Sequence, residues 1–312
     1  MKQLGREISD DAICYGSRLL RRRRPGLRHR ADGPGRGRAG ADSAAGRQAN
    51  PFGTQVEVVR GDLADPATLR LASLGVGKVV LTLPQLADRA LAAQFGRNAI
   101  AAAKAAGVKL LVWNASGPVP PAHTGVAVLD AAVDTARALG ASGIPAITVR
   151  PTLYMENLIA SWSAPGIVHN GVFAHPLPAD APVSWIGWKD LAAFVAAALM
   201  RPDLAGRAFD IGGPQMLRGP EIAAILSTAI GRRIDYVPVP LSYFAAGLNA
   251  VLGGKSGDQI AAFYGWVRCQ AISPLAVDLE PALAELSVKP TALSDWAKAQ
   301  DWIGLASSGK AA

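Results

Sequence analysis

The stretch Ser142-Gly143-Ile144-Pro145-Ala146-Ile147-Thr148-Val149-Arg150-Pro151 leaves few folds open. A helical run precedes it and stops at Gly143, a residue that takes the left-handed turn of a helix C-terminus without a side-chain clash. Ile144 to Val149 is apolar and β-branched, which predicts a short buried strand, and Arg150-Pro151 ends it. Helix, glycine stop, buried strand and proline-closed loop is the order expected of a doubly wound parallel α/β sheet. Ligands in such sheets bind beyond the carboxyl ends of the strands. The loop Thr152-Leu153-Tyr154-Met155-Glu156-Asn157-Leu158 is therefore the first place to look for a site.

The same grammar recurs on both sides. Residues 56–59 and 78–84 predict strands, 66–74 a short helix, and 88–106 a long helix with Leu91, Phe95, Asn98, Ala99 and Ala102 facing inward. Residues 108–113 predict another buried strand, followed by Asn114-Ala115-Ser116-Gly117. A helix over 125–140 is capped by Thr124, with Val126, Leu129, Val133 and Ala136 inward. Farther on, 191–200, 221–230, 241–252, 258–267 and 291–303 predict helices, and 208–214 and 233–239 strands with their turns.

Taken in order, these segments resemble the NmrA-like family of atypical short-chain dehydrogenases/reductases. Residues 142–158 carry the most specific likeness, with one departure: Thr148 stands one position later than the family's Thr. Val56-Glu57-Val58-Val59-Arg60-Gly61-Asp62-Leu63, completed by Asp65-Pro66, resembles the family's third strand and its turn. The segments 102–116, 183–193 and 219–239 add further matches, and the resemblance runs over about residues 55–303. It implies a Rossmann-like α/β domain over 51–157 and a smaller α/β substrate lobe over 158–312, part of 183–213 returning to the sheet.

The resemblance also implies NADP or NAD as cofactor, near Asp62, Leu63, Thr82, Leu83, Pro84, Asn114, Ser116 and Pro151. A small, quinone-like substrate would meet Tyr154, Asn157 and Trp185. Ser116 occupies the place where reductases of the superfamily often polarise a substrate. A general acid is harder to find. No tyrosine is followed by Lys at the four-residue spacing that lowers a catalytic Tyr pKa, and Ala132 stands where many family members keep a Lys. Two functional expectations result: an NAD(P)H-dependent reductase, or an NAD(P)-sensing regulator that binds a partner protein. Trp162, Phe173, Trp185 and Trp188 either line a flat apolar pocket or fill the core.

The first fifty residues do not match the rest. They hold 12 Lys and Arg against 5 acids, whereas the remaining 262 residues hold 20 against 19. The net charge of +8 is thus local. Such an arm suggests nucleic acid, but no aromatic residue lies between Tyr15 and Phe52 to stack on a base, which argues against that partner. From Arg18 to Arg47 the composition reads as disordered. The run from Gly33 to Gly40 has glycines but neither a leading strand nor a following helix, so the phosphate-binding fingerprint is absent as written. Arg/Gly/Ala/Pro-rich text is typical of a GC-rich gene read out of frame, and we read much of residues 5–50 as a frame-shifted first strand, turn and helix. Authentic text would leave the sheet without its central strand. Cys14 and Cys269, with four scattered histidines, form no disulfide framework or metal motif, and no leader or membrane span is visible. The expected setting is cytoplasmic.

Overall fold

The computed structural model describes residues 12–15, 19–22, 56–59, 61–302 and 304–305. Nine strands enter two sheets among these residues. The larger sheet has the order β3-β2-β1-β4-β5-β6-β8, built from β1 (Ala12–Tyr15), β2 (Leu19–Arg22), β3 (Val56–Val59), β4 (Lys78–Thr82), β5 (Leu110–Asn114), β6 (Ala146–Pro151) and β8 (Ala208–Ile211). The smaller sheet pairs β7 (Val172–His175) in parallel with β9 (Asp235–Pro238).

The helices of the main domain are α1 (Pro66–Ser73), α2 (Arg89–Ala105), α3 (Ala127–Ser142), α5 (Trp188–Leu199) and α9 (Glu280–Leu286). Strand residues alternate between two helical layers because successive side chains point to opposite faces. Leu111 and Trp113 of β5 pack with Ala99 and Ala103 of α2 and Leu139 of α3. Leu110 and Val112 pack on the other face with Phe194, Val195 and Ala198 of α5 and Ala282 and Leu286 of α9. Each fully buried Leu or Val contributes about 1.5–3 kcal/mol, which is why this strand reads as one unbroken apolar run. The second lobe, with α4 (Ala164–Asn170), α6 (Gly219–Ile230), α7 (Leu241–Leu252), α8 (Ser256–Arg268) and α10 (Leu293–Lys298), has its own core around Phe173, Leu226, Tyr264 and Leu275.

Local chemistry sets the element ends. Gly143 caps α3 at φ 73°, as its place in the sequence predicts. The Asp88 side chain accepts from Leu91 N–H to start α2. The inward face of α2 differs from expectation at Leu91, which is exposed; Ala92, Ala93, Gly96 and Ala99 are buried instead. Small residues let α2 approach α3 closely: a Cβ on Gly96 would lie 2.9 Å from Thr135 Oγ1.

The amino-terminal strands bring a correction. β1 pairs in parallel with β4, Ala12 opposite Lys78 through Tyr15 opposite Leu81, so the central position is filled by the text as written. β2 lies within the stretch whose composition reads as disordered, and it pairs antiparallel with both β1 and β3. Ladder pairing with two neighbours supplies order that local composition does not reveal. Residues 23–47 of that stretch, including Gly33 to Gly40, lie outside the described residues. Only residues 16–18 separate β1 from β2. A parallel crossover takes a dozen or more residues, so β1 turns back as a hairpin rather than leading through a helix. Among the described residues no helix is long and apolar enough to cross a membrane.

Candidate functional site

A cavity of about 640 Å³ opens beyond the carboxyl ends of β5 and β6, between the main sheet and the second lobe. The sheet contributes the loops after β4, β5 and β6, including Gln85, Ser116, Tyr154 and Asn157. The second lobe contributes Phe173 and His175 of β7, Phe244 and Leu248 of α7, and Phe263 and Tyr264 of α8. Trp185 closes one wall.

Backbone pairing fixes the loop after β6. Tyr154 bridges in parallel to Ile186, with Ile186 N–H donating to Leu153 O at 2.9 Å and Met155 N–H to Ile186 O at 3.0 Å. The Thr152 hydroxyl donates to Ser184 O. Behind this contact Gly213 approaches so closely that a Cβ there would lie 2.0 Å from Trp185 O. Trp185 is thereby held between two backbone segments. It is 3% exposed, and its indole N–H has no hydrogen-bond partner among the described residues.

Ser116 has φ 58°, a left-handed conformation unusual for a residue with a side chain. Its N–H donates to Asn114 Oδ1 at 3.0 Å, and Gln85 Nε2 donates to its carbonyl at 3.3 Å. Asn114 Nδ2 reaches Thr82 Oγ1 at 3.4 Å. The Tyr154 phenol lies beside the Ser116 and Asn114 side chains, near enough for their polar groups to lower its pKa. Burial pushes the phenol up to about 12; the Ser116 and Asn114 side chains pull it back, while the neighbouring Glu156 charge adds to the rise. Burial also raises the Glu156 carboxyl, against the N–H donated by Trp188 at 3.0 Å.

On the opposite wall burial holds His175 down to about 3, so it is neutral. Leu177 N–H donates to His175 Nδ1 at 3.4 Å, which leaves the ring proton on Nε2, 3.2 Å from the Tyr264 hydroxyl. Phe173, Trp185 and Phe244 surround this imidazole, with ring centroids 5.5, 5.8 and 6.2 Å away.

The residues anticipated from sequence separate into groups. Ser116, Tyr154, Asn157 and Trp185 come together in the large cavity. Leu83, Pro84 and Asn114 line a small neighbouring cavity of about 40 Å³, which shares Ser116 and Ala132 with the large one. Thr82 ends β4, and Pro151 ends β6 opposite Ile211. Asp62 lies away at an exposed turn, its Oδ1 accepting from Ala64 N–H at 2.8 Å. Leu63 is buried in the core and its carbonyl accepts from Asn98. Of the four aromatic residues singled out, Trp188 is exposed and outside the cavity, while Trp162, Phe173 and Trp185 line it. His175, Phe244 and Tyr264 carry no signal in the sequence; each lies in a segment that reads as ordinary core.

A dinucleotide needs two things from such a sheet. For its nicotinamide end, the strand-end loops at Leu83, Pro84, Asn114 and Ser116 are uncharged and line the small cavity beside the large one, with Ser116 on both. Its pyrophosphate needs backbone N–H groups at a turn and helix N-terminus after the central strand. The described residues do not provide them there, since β1 passes after three residues into β2.

Comparison with known proteins places this geometry. The chain is 37% identical over 208 residues to an NAD(P)H azoreductase of Xenophilus azovorans, covering 64% of this chain and 67% of that protein. It is 30% identical over 197 residues to quinone oxidoreductase 2 of Escherichia coli (strain K12), covering 63% and 66%. The matched stretches thus span about two thirds of these relatives. The crystal structure of the Escherichia coli NADPH-dependent quinone oxidoreductase complexed with NADPH superimposes with a TM-score of 0.61 at 25% identity, over 77% of this chain and 81% of that one. The sequence profile of the NmrA-like family matches residues 46–297, a span that takes in every described element from β3 to α9 and leaves residues 1–45 outside. With its strand order, its strand-end loops and four fifths of its length accounted for in this way, the chain belongs to the NmrA-like family.

Proposed function

We propose that the chain is an NAD(P)H-dependent reductase of a small, flat, uncharged acceptor, a quinone or related aromatic compound. The observation that carries this reading is the cavity lining. Among the described residues it contains seven aromatic side chains and a neutral His175, and no Lys, Arg, Asp or Glu. A planar ring entering it gains apolar and edge-to-face contacts. A phosphate, sulfonate or carboxylate would lose its hydration without meeting a cation, at a cost of several kcal/mol. The similarity to an azoreductase and a quinone oxidoreductase supports the same class of acceptor.

A reduced nicotinamide, held at Leu83, Pro84, Asn114 and Ser116, would supply hydride. The chain's own side chains bind and orient the acceptor and exclude water from it. The regulator reading has one observation in its favour: Ala132, at the family's Lys position, lines the cavity as a methyl group.

Mixing the protein with NADPH or NADH and a neutral naphthoquinone should give steady cofactor oxidation. A sulfonated naphthoquinone should be used at least about tenfold less well. Equal use of the two quinones would sink the argument from the uncharged wall. If no quinone or azo compound drives NAD(P)H oxidation, the reductase reading fails and the regulator takes its place.

A further inference from the structure

The family's Lys is missing and no Tyr–Lys pair exists, yet a two-electron reduction of a quinone needs a proton as well as a hydride. Tyr154 combines three features found on no other cavity tyrosine. It follows β6 directly and is fixed by backbone bridging to Ile186. Its phenol lies beside the Ser116 and Asn114 side chains at the carboxyl end of β5. It lies on the cavity wall beside Ser116 and Asn157. Tyr264, by contrast, is tied to His175 on the far wall. The left-handed backbone of Ser116 belongs to the same arrangement, since strain of this kind persists where the surroundings over-determine it.

We infer that Tyr154 is the catalytic proton donor: its phenol hydrogen-bonds to the acceptor's oxygen or nitrogen and transfers its proton as the acceptor is reduced. This rests on the reductase reading. For a quinone the balance is simple. The acceptor gains a hydride from the reduced nicotinamide, which is oxidised to the nicotinamide cation, and gains the phenolic proton. The Tyr154 O–H bond breaks and a hydroquinone O–H bond forms. The tyrosinate recovers a proton from solvent by way of the Ser116 hydroxyl. A phenol is a weak acid, but as a donor it stays protonated throughout the physiological range. The titratable groups around it are Glu156 on the following turn, and His175 and Tyr264 across the cavity. His175 is neutral, and burial keeps Tyr264 protonated.

Tyr154→Phe keeps the ring and removes only the hydroxyl, and thermal unfolding checks that the variant is folded. Wild-type kcat with a naphthoquinone should be nearly flat between about pH 6 and 9. In the variant kcat should fall about 100-fold with KM changing far less. Its rate should decline as pH rises and recover when a small buffer acid such as imidazolium is added. The second readout needs no cofactor. Quenching of tryptophan fluorescence compares binding of the naphthoquinone with that of naphthalene, and the variant should lose about tenfold in affinity for the quinone alone. A kcat within about threefold of wild type, or an unchanged quinone-to-naphthalene ratio, overturns the assignment. If wild type oxidises no NAD(P)H, the reductase reading falls and the binding ratio still decides. A tenfold loss then leaves Tyr154 as a hydrogen-bond donor to a bound quinone with its catalytic role overturned, and no loss overturns both.

Discussion

The contact between Gly213 and the Trp185 carbonyl is the sharpest constraint on the cavity wall, and Gly213→Ala tests it. An added Cβ would lie 2.0 Å from Trp185 O and 3.2 Å from its carbonyl carbon, whereas real Cβ atoms stay beyond 3.0 Å. The two backbone segments must therefore part by about 1 Å, and both are main chain, so no side-chain rotation relieves the clash. Separation also weakens the bond from Gly213 N–H to Ser184 O, already 3.4 Å long. Overpacking of this kind costs about 1–3 kcal/mol and the weakened hydrogen bond about 1 more. Gly140→Ala is the matched control. Gly140 sits in α3 with no atom within 4 Å of its would-be Cβ, so the same substitution should stabilise by about 0.5–1 kcal/mol. Urea unfolding followed by tryptophan fluorescence reads both, with a lowered midpoint for Gly213→Ala and a raised one for Gly140→Ala. Because Trp185 moves with its carbonyl, naphthoquinone affinity should also fall in the first variant and hold in the second. A cost below about 0.5 kcal/mol for Gly213→Ala would mean the close approach does not fix the wall.

Three other outcomes are expected. His175 is buried with its pKa lowered from an ordinary 6.5 to about 3, so the unfolded chain binds a proton that the folded chain does not. Its contribution is complete above about pH 6.5 and is lost as pH falls from there toward 3, by up to about 1.4 kcal/mol per unit. Urea unfolding of His175→Gln between those values should show a shallower pH slope than wild type. Burial alone would raise the Asp130 carboxyl, but N–H bonds from Thr124 at 2.6 Å and Gly125 at 3.2 Å, with the Arg89 charge, leave it below its ordinary value. Asp130→Asn should therefore cost about 1–3 kcal/mol near neutral pH, and the difference should shrink below about pH 4, as a thermal-unfolding series will show. Finally, with β1 passing after three residues into β2 and no helix between them, the pyrophosphate should add little to binding. Reduced nicotinamide mononucleotide should support quinone reduction within a few-fold of NADPH at equal concentration, and a rate hundreds of times lower would show that the phosphates are gripped after all.

Much of the fold is legible in the sequence where burial and punctuation agree. β4 and β5 are apolar runs because both faces of the sheet are covered, and Gly143, Gly231 and Asp88 mark helix ends by conformational or capping chemistry that any context preserves. The helix over Leu241–Leu252 is legible to the residue because Pro240 and Gly253 bound it. Leu91 misleads because size is a poor guide to the buried face of α2, where α3 comes too close for anything larger than Ala or Gly. Ser116, Tyr154, Asn157 and Trp185 can be anticipated, since strand-end loops announce themselves in the sequence. His175, Phe244 and Tyr264 cannot. His175 and Tyr264 stand 89 residues apart, and only the packing of β7 against α7 and α8 turns three core-like aromatic residues into one wall.

That division has a physical origin which bears on function. The large cavity is set by β5, β6 and the second lobe, whose cores are built, among the described residues, from Val80 onward. The dinucleotide's phosphate end depends instead on the turn that leaves the central strand. There, among the described residues, β1 is followed after three residues by an antiparallel partner, which keeps the sheet's hydrogen bonds paired without a helix N-terminus between them. A seven-stranded sheet tolerates the exchange because β2 satisfies the ladders of both β1 and β3, whichever way it runs. Sheet integrity and phosphate binding are thus separable demands on the same strands. The chain meets the first with its hairpin and keeps the large cavity intact, so on the proposed reading the grip on the cofactor falls to the nicotinamide end.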